Sequence, residues 1–430
     1  MTTETKSKKS APVNARALAV AKARAAILKQ TGQKPLQASN TTLPHVSTGS
    51  FPIDMLIGGT PTKDGKGSIC PGIPRRRITE IYGPESSGKT TLLIHTMVQA
   101  QKAGGSAMFV DFENSLDHNY AKALGLSYDE DKLLVYQPNS MEEGFQMIYI
   151  GILTGFDVIG VDSVAAMVPK DELEKSFEDN AKIGAVARVM SRDLPKLVLW
   201  LQKYPVDELK KPRADHDGTS LIFVNQTRAL INTGGYGGHG DNESTSGGKA
   251  LKFYAYLRLR ASKIKAEVIE RVDPLTGKKR RFPYGNVTDV KVIKSKVNAK
   301  QGHSCQVFIR FGQGIDDYYS VIETAIVQKL ARRDGAKYTI GDQSFLGKDK
   351  FRQFLVSNPK VFEALRSKLM QLVSSTGTTI ATDEELSEDD VLLDAVTGDF
   401  EDTDDIAAAA EAATEEAVVE DSADTATASA

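Results

Sequence analysis

The stretch Gly83-Pro84-Glu85-Ser86-Ser87-Gly88-Lys89-Thr90 has the form G-x-x-x-x-G-K-[ST], the signature of a loop that cradles phosphates. Before it, Arg77-Ile78-Thr79-Glu80-Ile81-Tyr82 alternates in polarity like a strand, and after it residues 91–100 read as a buried helix. That is the strand, loop and helix setting the motif requires. Glycines let backbone N–H groups approach phosphate oxygens, and the helix start adds unpaired donors and the positive end of its dipole. Lys89 then reaches the outer phosphates, Thr90 is placed to hold Mg²⁺, and Thr91 follows in the first helical turn. The ligand implied is a nucleoside triphosphate.

Outward from this loop the chain has the rhythm of an open sheet. Strand candidates cover residues 78–82, 107–111, 133–136, 158–162 and 221–225, most of them separated by helical patterns. The fold class is therefore α/β, a mostly parallel twisted sheet with helices on both faces. Ligands in such sheets sit at the carboxyl ends of strands, where Asp111, Glu113, Asp162, Ser163, Asn225 and Gln226 fall. Asp162 closes the apolar run Val158-Ile159-Gly160-Val161, the place where a P-loop ATPase needs an acid for its Mg²⁺ shell; capping a helix is the alternative role. Glu113 is placed to orient or deprotonate a water that attacks the γ-phosphate, or else to cap. Gln226 brings an amide that would feel a γ-phosphate. From Thr227 to Gly248 runs a loop with seven glycines, far longer than an ordinary connection, which suits a segment ordered by its ligands.

With 430 residues, 40% of them hydrophobic, the chain has room for one large domain and a smaller one. No apolar run reaches the length of a membrane span, and the basic N-terminus lacks the apolar core of a signal peptide, so a cytoplasmic location is expected. Two cysteines, Cys70 and Cys305, are too few for a disulfide framework or a cysteine metal site. The net charge of −2 hides an asymmetry. Of 56 acidic residues, 18 lie from Asp383 onward with no basic residue among them, leaving 38 acidic against 54 basic residues in the body. A basic body suits a polyanionic partner, and an acidic tail would compete with that partner. The tail from residue 381 has the composition of a disordered segment. Near the other end, residues 15–28 are strongly helix-forming, with Leu18, Ala21, Ala25 and Leu28 in one stripe that would dock on its own domain or on a neighbouring subunit.

Taken together these segments resemble the bacterial RecA family of recombinases. The loop at 83–91 follows that family's own version of the motif. Asp111-Phe112-Glu113 with Leu116, Asp117 and Tyr120, then Val161-Asp162-Ser163-Val164-Ala165-Ala166, Asn225-Gln226-Thr227-Arg228 and Gly247-Gly248-Lys249-Ala250-Leu251-Lys252-Phe253-Tyr254 agree in order and spacing. The resemblance implies an ATP-dependent recombinase that polymerises on single-stranded DNA and exchanges it into a homologous duplex. It implies ATP and Mg²⁺ as cofactors, a head-to-tail filament of the chain with itself, and single-strand-binding and mediator proteins as further partners, with no role for a membrane. Residue by residue, it implies that Lys89 and Thr90 bind phosphate and metal, Asp162 supports the metal, Glu113 is the catalytic carboxylate and Gln226 the γ-phosphate sensor. Asp117 and Tyr120 match positions that contact adenine. Lys294 and Lys296 match a pair that reaches the neighbour's ATP across the subunit interface, which would tie hydrolysis to assembly; without the resemblance, two lysines on an alternating strand read as a solvated face.

DNA contacts are implied in two loops. The first runs around residues 174–184 into Arg188, Ser191 and Lys196, and the second spans 227–248 with Arg228, Ser246, Gly247, Gly248 and Lys249. Ile183 and Ile231 match apolar positions that wedge between groups of bases, while the basic and backbone groups would hold phosphates without regard to sequence. The implied organisation is an N-terminal arm with a polymerisation helix (1–46), an ATPase core with the DNA loops (47–313), a small C-terminal domain (314–380) and an acidic tail (381–430). The chain departs from the family pattern in a longer first loop, in Pro195 where a basic residue is usual, in about four extra residues in the second loop, and in segments 60–67 and 204–219 that look inserted. These departures fit a divergent member, a phage-encoded one included. A ring-forming helicase on the same core and an ATP-switched DNA-coating protein are the competing readings. The short basic arm argues against the helicase, and Glu113, Lys294 and Lys296 argue against a pure switch.

Overall fold

A computed structural model describes residues 15–32, 43–58, 70–174, 184–203, 216–229, 243–273, 277–297 and 300–376. Helix α1 (Ala15–Thr31) belongs to a unit of its own that ends at Thr41. Its run of alanine and long straight side chains favours helix, and the Thr31 hydroxyl donates to Ile27 O at 2.8 Å in its last turn.

The second unit is built on one large sheet. In chain order its strands are β1 (Arg77–Gly83), β2 (Ala107–Asp111), β3 (Leu133–Tyr136), β4 (Val158–Asp162), β5 (Ser220–Ala229), β6 (Leu257–Val272), β7 (Lys279–Ser295), β8 (Ser304–Arg310) and β9 (Gly314–Ile315). They lie side by side in the order β9-β8-β7-β6-β1-β5-β4-β2-β3, and Glu243–Thr245 pairs antiparallel with the end of β5. From β6 to β3 every pairing is parallel; from β6 to β9 every pairing is antiparallel. The five strands expected from the sequence are all present. Of the antiparallel half only the alternating strand that carries Lys294 and Lys296 was foreseen; β6 and the rest of β7 are rich in charge, and their outer halves bury little.

Alternate side chains of the parallel strands fill two apolar layers, one on each face. On one face Ile81, Phe109, Val158, Ile222 and Val224 pack with Leu93, Ile94 and Met97 of α2 (Lys89–Lys102). On the other face Ile78, Val110, Ile159, Val161 and Phe223 pack with Ile148 and Ile152 of α3 (Met141–Thr154) and with Leu194, Leu197 and Leu201 of α4 (Ala185–Lys203). Pro195 lies inside α4 between two fully buried leucines. Burial on both faces also corrects the half-exposed reading of β1: Thr79 and Glu80 are both 0% exposed.

β6 and β7 outrun the sheet. Their inner halves bury Leu257, Leu259, Val290 and Val292, while Val268, Val272 and Phe282 in the outer halves are exposed. Beyond β9, a third apolar cluster joins Val321 and Ile322 of α5 (Asp317–Val327), Phe351 and Leu355 of α6 (Lys348–Ser357), and Leu365 and Leu369 of α7 (Pro359–Thr376). Tyr338 and Ile340 enter it from a three-stranded antiparallel sheet. α5 starts at Asp317 because the Asp316 carboxylate caps it by accepting Tyr319 N–H at 3.2 Å. Phe51, from the short helix Phe51–Ile57, is buried in this same cluster, and its N–H donates to Asp317 Oδ1 at 2.6 Å. Residues 59–69 lie outside the described residues; just after them Cys70 is buried, and Ile73–Pro74 pairs antiparallel with His45–Val46. Among the described residues no helix is long and apolar enough to cross a membrane.

Candidate nucleotide and nucleic-acid sites

The phosphate loop joins β1 to α2 at the carboxyl end of the parallel strands. Gly88 has φ 86°, a left-handed conformation that glycine adopts without a Cβ penalty, and it forms the N-cap of α2. A Cβ at Gly83 would meet Ala261 O at 2.0 Å, so that position also has room only for glycine. Ser87 Oγ donates to Pro84 O at 2.8 Å and Lys89 Nζ donates to the same carbonyl at 2.6 Å, which holds the loop closed over the ammonium. Burial lowers the pKa of Lys89, against the pull of Asp162, Glu113 and Glu85.

Asp162 ends β4 beside this loop. Its Oδ2 accepts the Thr90 hydroxyl at 2.5 Å, and its neighbour in register on β2 is Asp111. Burial pushes the Asp162 carboxyl up to about 6, with the Thr90 hydrogen bond opposing and the charges of Glu113 and Asp111 adding to the rise. The peptide between Asp162 and Ser163 is cis. Ser163 Oγ donates to Glu113 Oε1, and Gln226 Nε2 donates to the same oxygen at 2.9 Å. The residues expected to be the catalytic carboxylate and the γ-phosphate sensor therefore touch. Glu113 reaches this position because Phe112 N–H and Glu113 N–H both donate to Asp162 O, at 2.7 and 3.3 Å, as the chain leaves β2.

Mg²⁺ fits this corner. Hard oxygen ligands are at hand in Thr90 and Asp162, and Asp111 Oδ1 is a buried acceptor without a hydrogen-bond partner among the described residues. Mg²⁺ is ordinarily held by one or two carboxylates plus substrate phosphates, and Asp162 and Asp111 are carboxylates of that kind, paired in register beside the phosphate loop.

Tyr120 and Asp117 sit at the side of the loop. The Tyr120 and Thr91 hydroxyls are 3.1 Å apart, which ties Tyr120 to the first turn of α2. Asp117 caps the helix His118–Ala123 by accepting Asn119 N–H and Tyr120 N–H at 2.9 and 3.0 Å. Lys294 and Lys296 stand apart from this group. Lys294 Nζ donates to Lys252 O and Phe253 O at 2.7 and 2.9 Å, at the end of the helix Ala250–Tyr254, and Lys296 is exposed. Burial, then Lys296 and Arg258, lowers the pKa of Lys294.

The residues expected on DNA fall into separate groups. Ile183 and Ile231 lie outside the described residues, as does the side chain of Arg228. Arg188, Ser191 and Lys196 stand exposed along α4. Ser191 Oγ donates to Ala187 O at 2.7 Å, and Lys196 is in an ion pair with Asp193 at 2.9 Å. β5 runs on to Ala229, so the second loop leaves the sheet as an antiparallel pair, Thr227 opposite Thr245, rather than directly after Gln226. At its far end Ser246 O accepts Asn225 Nδ2 at 3.0 Å. Gly247 and Gly248 have φ 86° and 74°, and a Cβ would meet Val164 at 2.9 Å on the first and Ala187 at 2.8 Å on the second. They lie between the turn after Asp162 and the helix that carries Arg188; Lys249 beside them is exposed. Sequence reasoning gave no role to Ser163 or Asn225, and passed over Glu80 and Arg258; an acid inside an apolar strand and Arg258 between two leucines were the available signals.

A P-loop NTPase with a mostly parallel core sheet is what this fold and this site define. Residues 19–316 match the family described as the RecA N-terminal domain. The chain is 38% identical over 328 residues to Protein RecA of Salinispora tropica, covering 76% of this chain and 82% of that protein. Protein RecA of Oleidesulfovibrio alaskensis is 36% identical over 335 residues, 77% of this chain and 84% of that protein. Protein RecA of Bifidobacterium breve is 38% identical over 340 residues, 79% and 75%. The chain belongs to the RecA family.

Proposed function

We propose that this chain is an ATP-dependent DNA recombinase that forms filaments on single-stranded DNA and catalyses homologous pairing and strand exchange, with ATP hydrolysis stimulated by DNA. Its place is DNA recombination and repair, in the cytoplasm of the cell that contains it. The four-part organisation stated above, arm, core, small C-terminal domain and acidic tail, goes with this reading.

The observation that carries it is the contact of Gln226 with Glu113 at 2.9 Å, within the network that also holds Thr90 against Asp162. In this reading residues 83–91, Lys89 above all, bind the triphosphate, and Asp117 and Tyr120 flank the adenine. Bound Mg²⁺, held through Thr90 and Asp162, would neutralise charge on the phosphates. Glu113 orients and deprotonates the attacking water, its carboxylate fixed by Ser163 and Gln226. A γ-phosphate would compete for the Gln226 amide, so the same side chain reports the nucleotide state to β5 and to the second loop. Lys294 and Lys296 supply charge to the neighbour's site, and Arg188, Ser191, Lys196, Arg228, Ser246, Gly247, Gly248 and Lys249 contact DNA, with Ile183 and Ile231 between bases.

A three-strand exchange assay with ATP, run beside a helicase assay, tests the reading. Exchange products and ATP turnover that rises strongly on adding single-stranded DNA are expected. Unwinding without exchange, or turnover equal with and without DNA in a monomeric preparation, overturns it.

A further inference from the structure

A row of polar side chains runs across the sheet, one residue from each of four neighbouring strands, its first member, Asn225, two positions beyond the register partner of Glu80 on β5. Asn225 on β5, Glu80 on β1, Arg258 on β6 and Lys294 on β7 form it. Glu80 and Arg258 are partners in register, as are Arg258 and Lys294. Arg258 Nε donates to Glu80 Oε2 at 2.5 Å, and Asn225 Nδ2 donates to Glu80 Oε1 at 3.0 Å. Glu80 and Asn225 are wholly buried, and Arg258 is 8% exposed. A buried ion pair is a poor way to stabilise a sheet, since apolar residues of the same volume commonly do as well or better. Its place in the structure suggests another use.

At one end Asn225 makes two further contacts. Its Oδ1 accepts Gln226 N–H at 2.9 Å and its Nδ2 also donates to Ser246 O at 3.0 Å. Asn225 thereby fixes the backbone of the proposed sensor and the exit of the second loop together. At the other end Lys294 holds the last carbonyls of the helix Ala250–Tyr254. Arg258 also stands over the Tyr82 ring, 4.6 Å from its centroid, and Tyr82 directly precedes the phosphate loop.

We infer that Glu80 and Arg258 are positioning residues for ATP hydrolysis: they hold Asn225, and through it Gln226 and Ser246, in register with the surface that carries Lys294. The inference rests on the reading of the chain as a DNA-stimulated ATPase. A charge pair fixes the direction in which the Asn225 amide points, which an apolar pair of equal volume does not.

The test is the double variant Glu80→Gln/Arg258→Met of the full chain, which removes both buried charges together and so leaves neither unpaired. Thermal melting checks its fold, and steady-state ATP turnover is measured with and without single-stranded DNA. The expected result is a DNA-stimulated kcat lower by about tenfold or more with KM for ATP within about threefold, since positioning acts on the transition state rather than on binding. A folded double variant with full stimulated kcat overturns the inference. Asn225→Ser, which leaves the charge pair in place, is the second variant and is expected to lose stimulated kcat likewise; unchanged stimulation there overturns the inference even where the double variant does not fold. Wild-type protein without DNA stimulation would instead refute the proposed function.

Discussion

At the nucleotide end of the sheet, functional side chains hold one another: Thr90 with Asp162, Ser163 and Gln226 with Glu113, Thr91 with Tyr120, Lys89 with the loop's own carbonyl. Along α4 the opposite holds, and Arg188, Ser191 and Lys196 stand exposed, the Ser191 and Lys196 side chains bonded, among the described residues, within their own helix. The difference follows from what each region does in the proposed function. Phosphoryl transfer depends on groups fixed before the reaction begins, whereas sequence-independent DNA binding depends on the number and sign of charges near the backbone. A single substitution should therefore be severe in the first region and mild in the second.

The largest expected effect is that of Lys89→Ala. ATP turnover should fall by about a thousandfold or more, and ATP-dependent filaments on single-stranded DNA should disappear from electron micrographs. Filaments of normal length would break the contrast at its strongest point.

A middle-sized effect concerns the back of α2, whose front carries the phosphate loop. His95 Nε2 accepts Ile315 N–H at 2.9 Å, so the ring must stay neutral there, and burial lowers its pKa from 6.5 to about 4. Because the folded value lies below the unfolded one, its contribution is fully present above about pH 6.5 and is lost as pH falls through 4. The loss amounts to on the order of 3 kcal/mol. Thermal melts from pH 7 to 4 should show a steeper decline for the wild type than for His95→Gln; parallel declines would remove His95 as the cause.

The smallest effect is expected for Arg188→Ala. Affinity for single-stranded DNA should fall modestly and equally for all sequences, with the slope of log affinity against log salt reduced by about one. A loss as large as that from Lys89→Ala would show that α4 is as tightly organised as the loop.

The same contrast governs what could be read from the residues. The phosphate loop was legible because backbone requirements select glycine, β1 because it alternates in polarity directly before that loop, and the other four expected strands because burial on both faces selects apolar runs. Glu113, Asp162 and Gln226 were legible as polar residues at strand ends, but their mutual contacts were not, since those depend on which strands are neighbours: β4 and β5 are adjacent in the sheet though 57 residues lie between Asp162, where β4 ends, and Ser220, where β5 begins. Glu80 and Arg258 were missed for the same reason. Each looks like the polar face of a half-exposed strand until β1, β5 and β6 are set side by side under helices. β6 and most of β7 went unread because charge is dense along them and their outer halves bury little.

Phe51 has a bearing on synthesis as well as on the finished molecule. The aromatic ring leaves the ribosome early, but the pocket that receives it is made of residues 321–369, so the nascent chain must carry an uncovered phenylalanine until nearly all of the described chain has been translated. Its tether to Asp317 spans 266 positions. Closing so long a loop is slow, and the stitch between these distant segments should be among the last to form and the first to reveal itself to a chaperone.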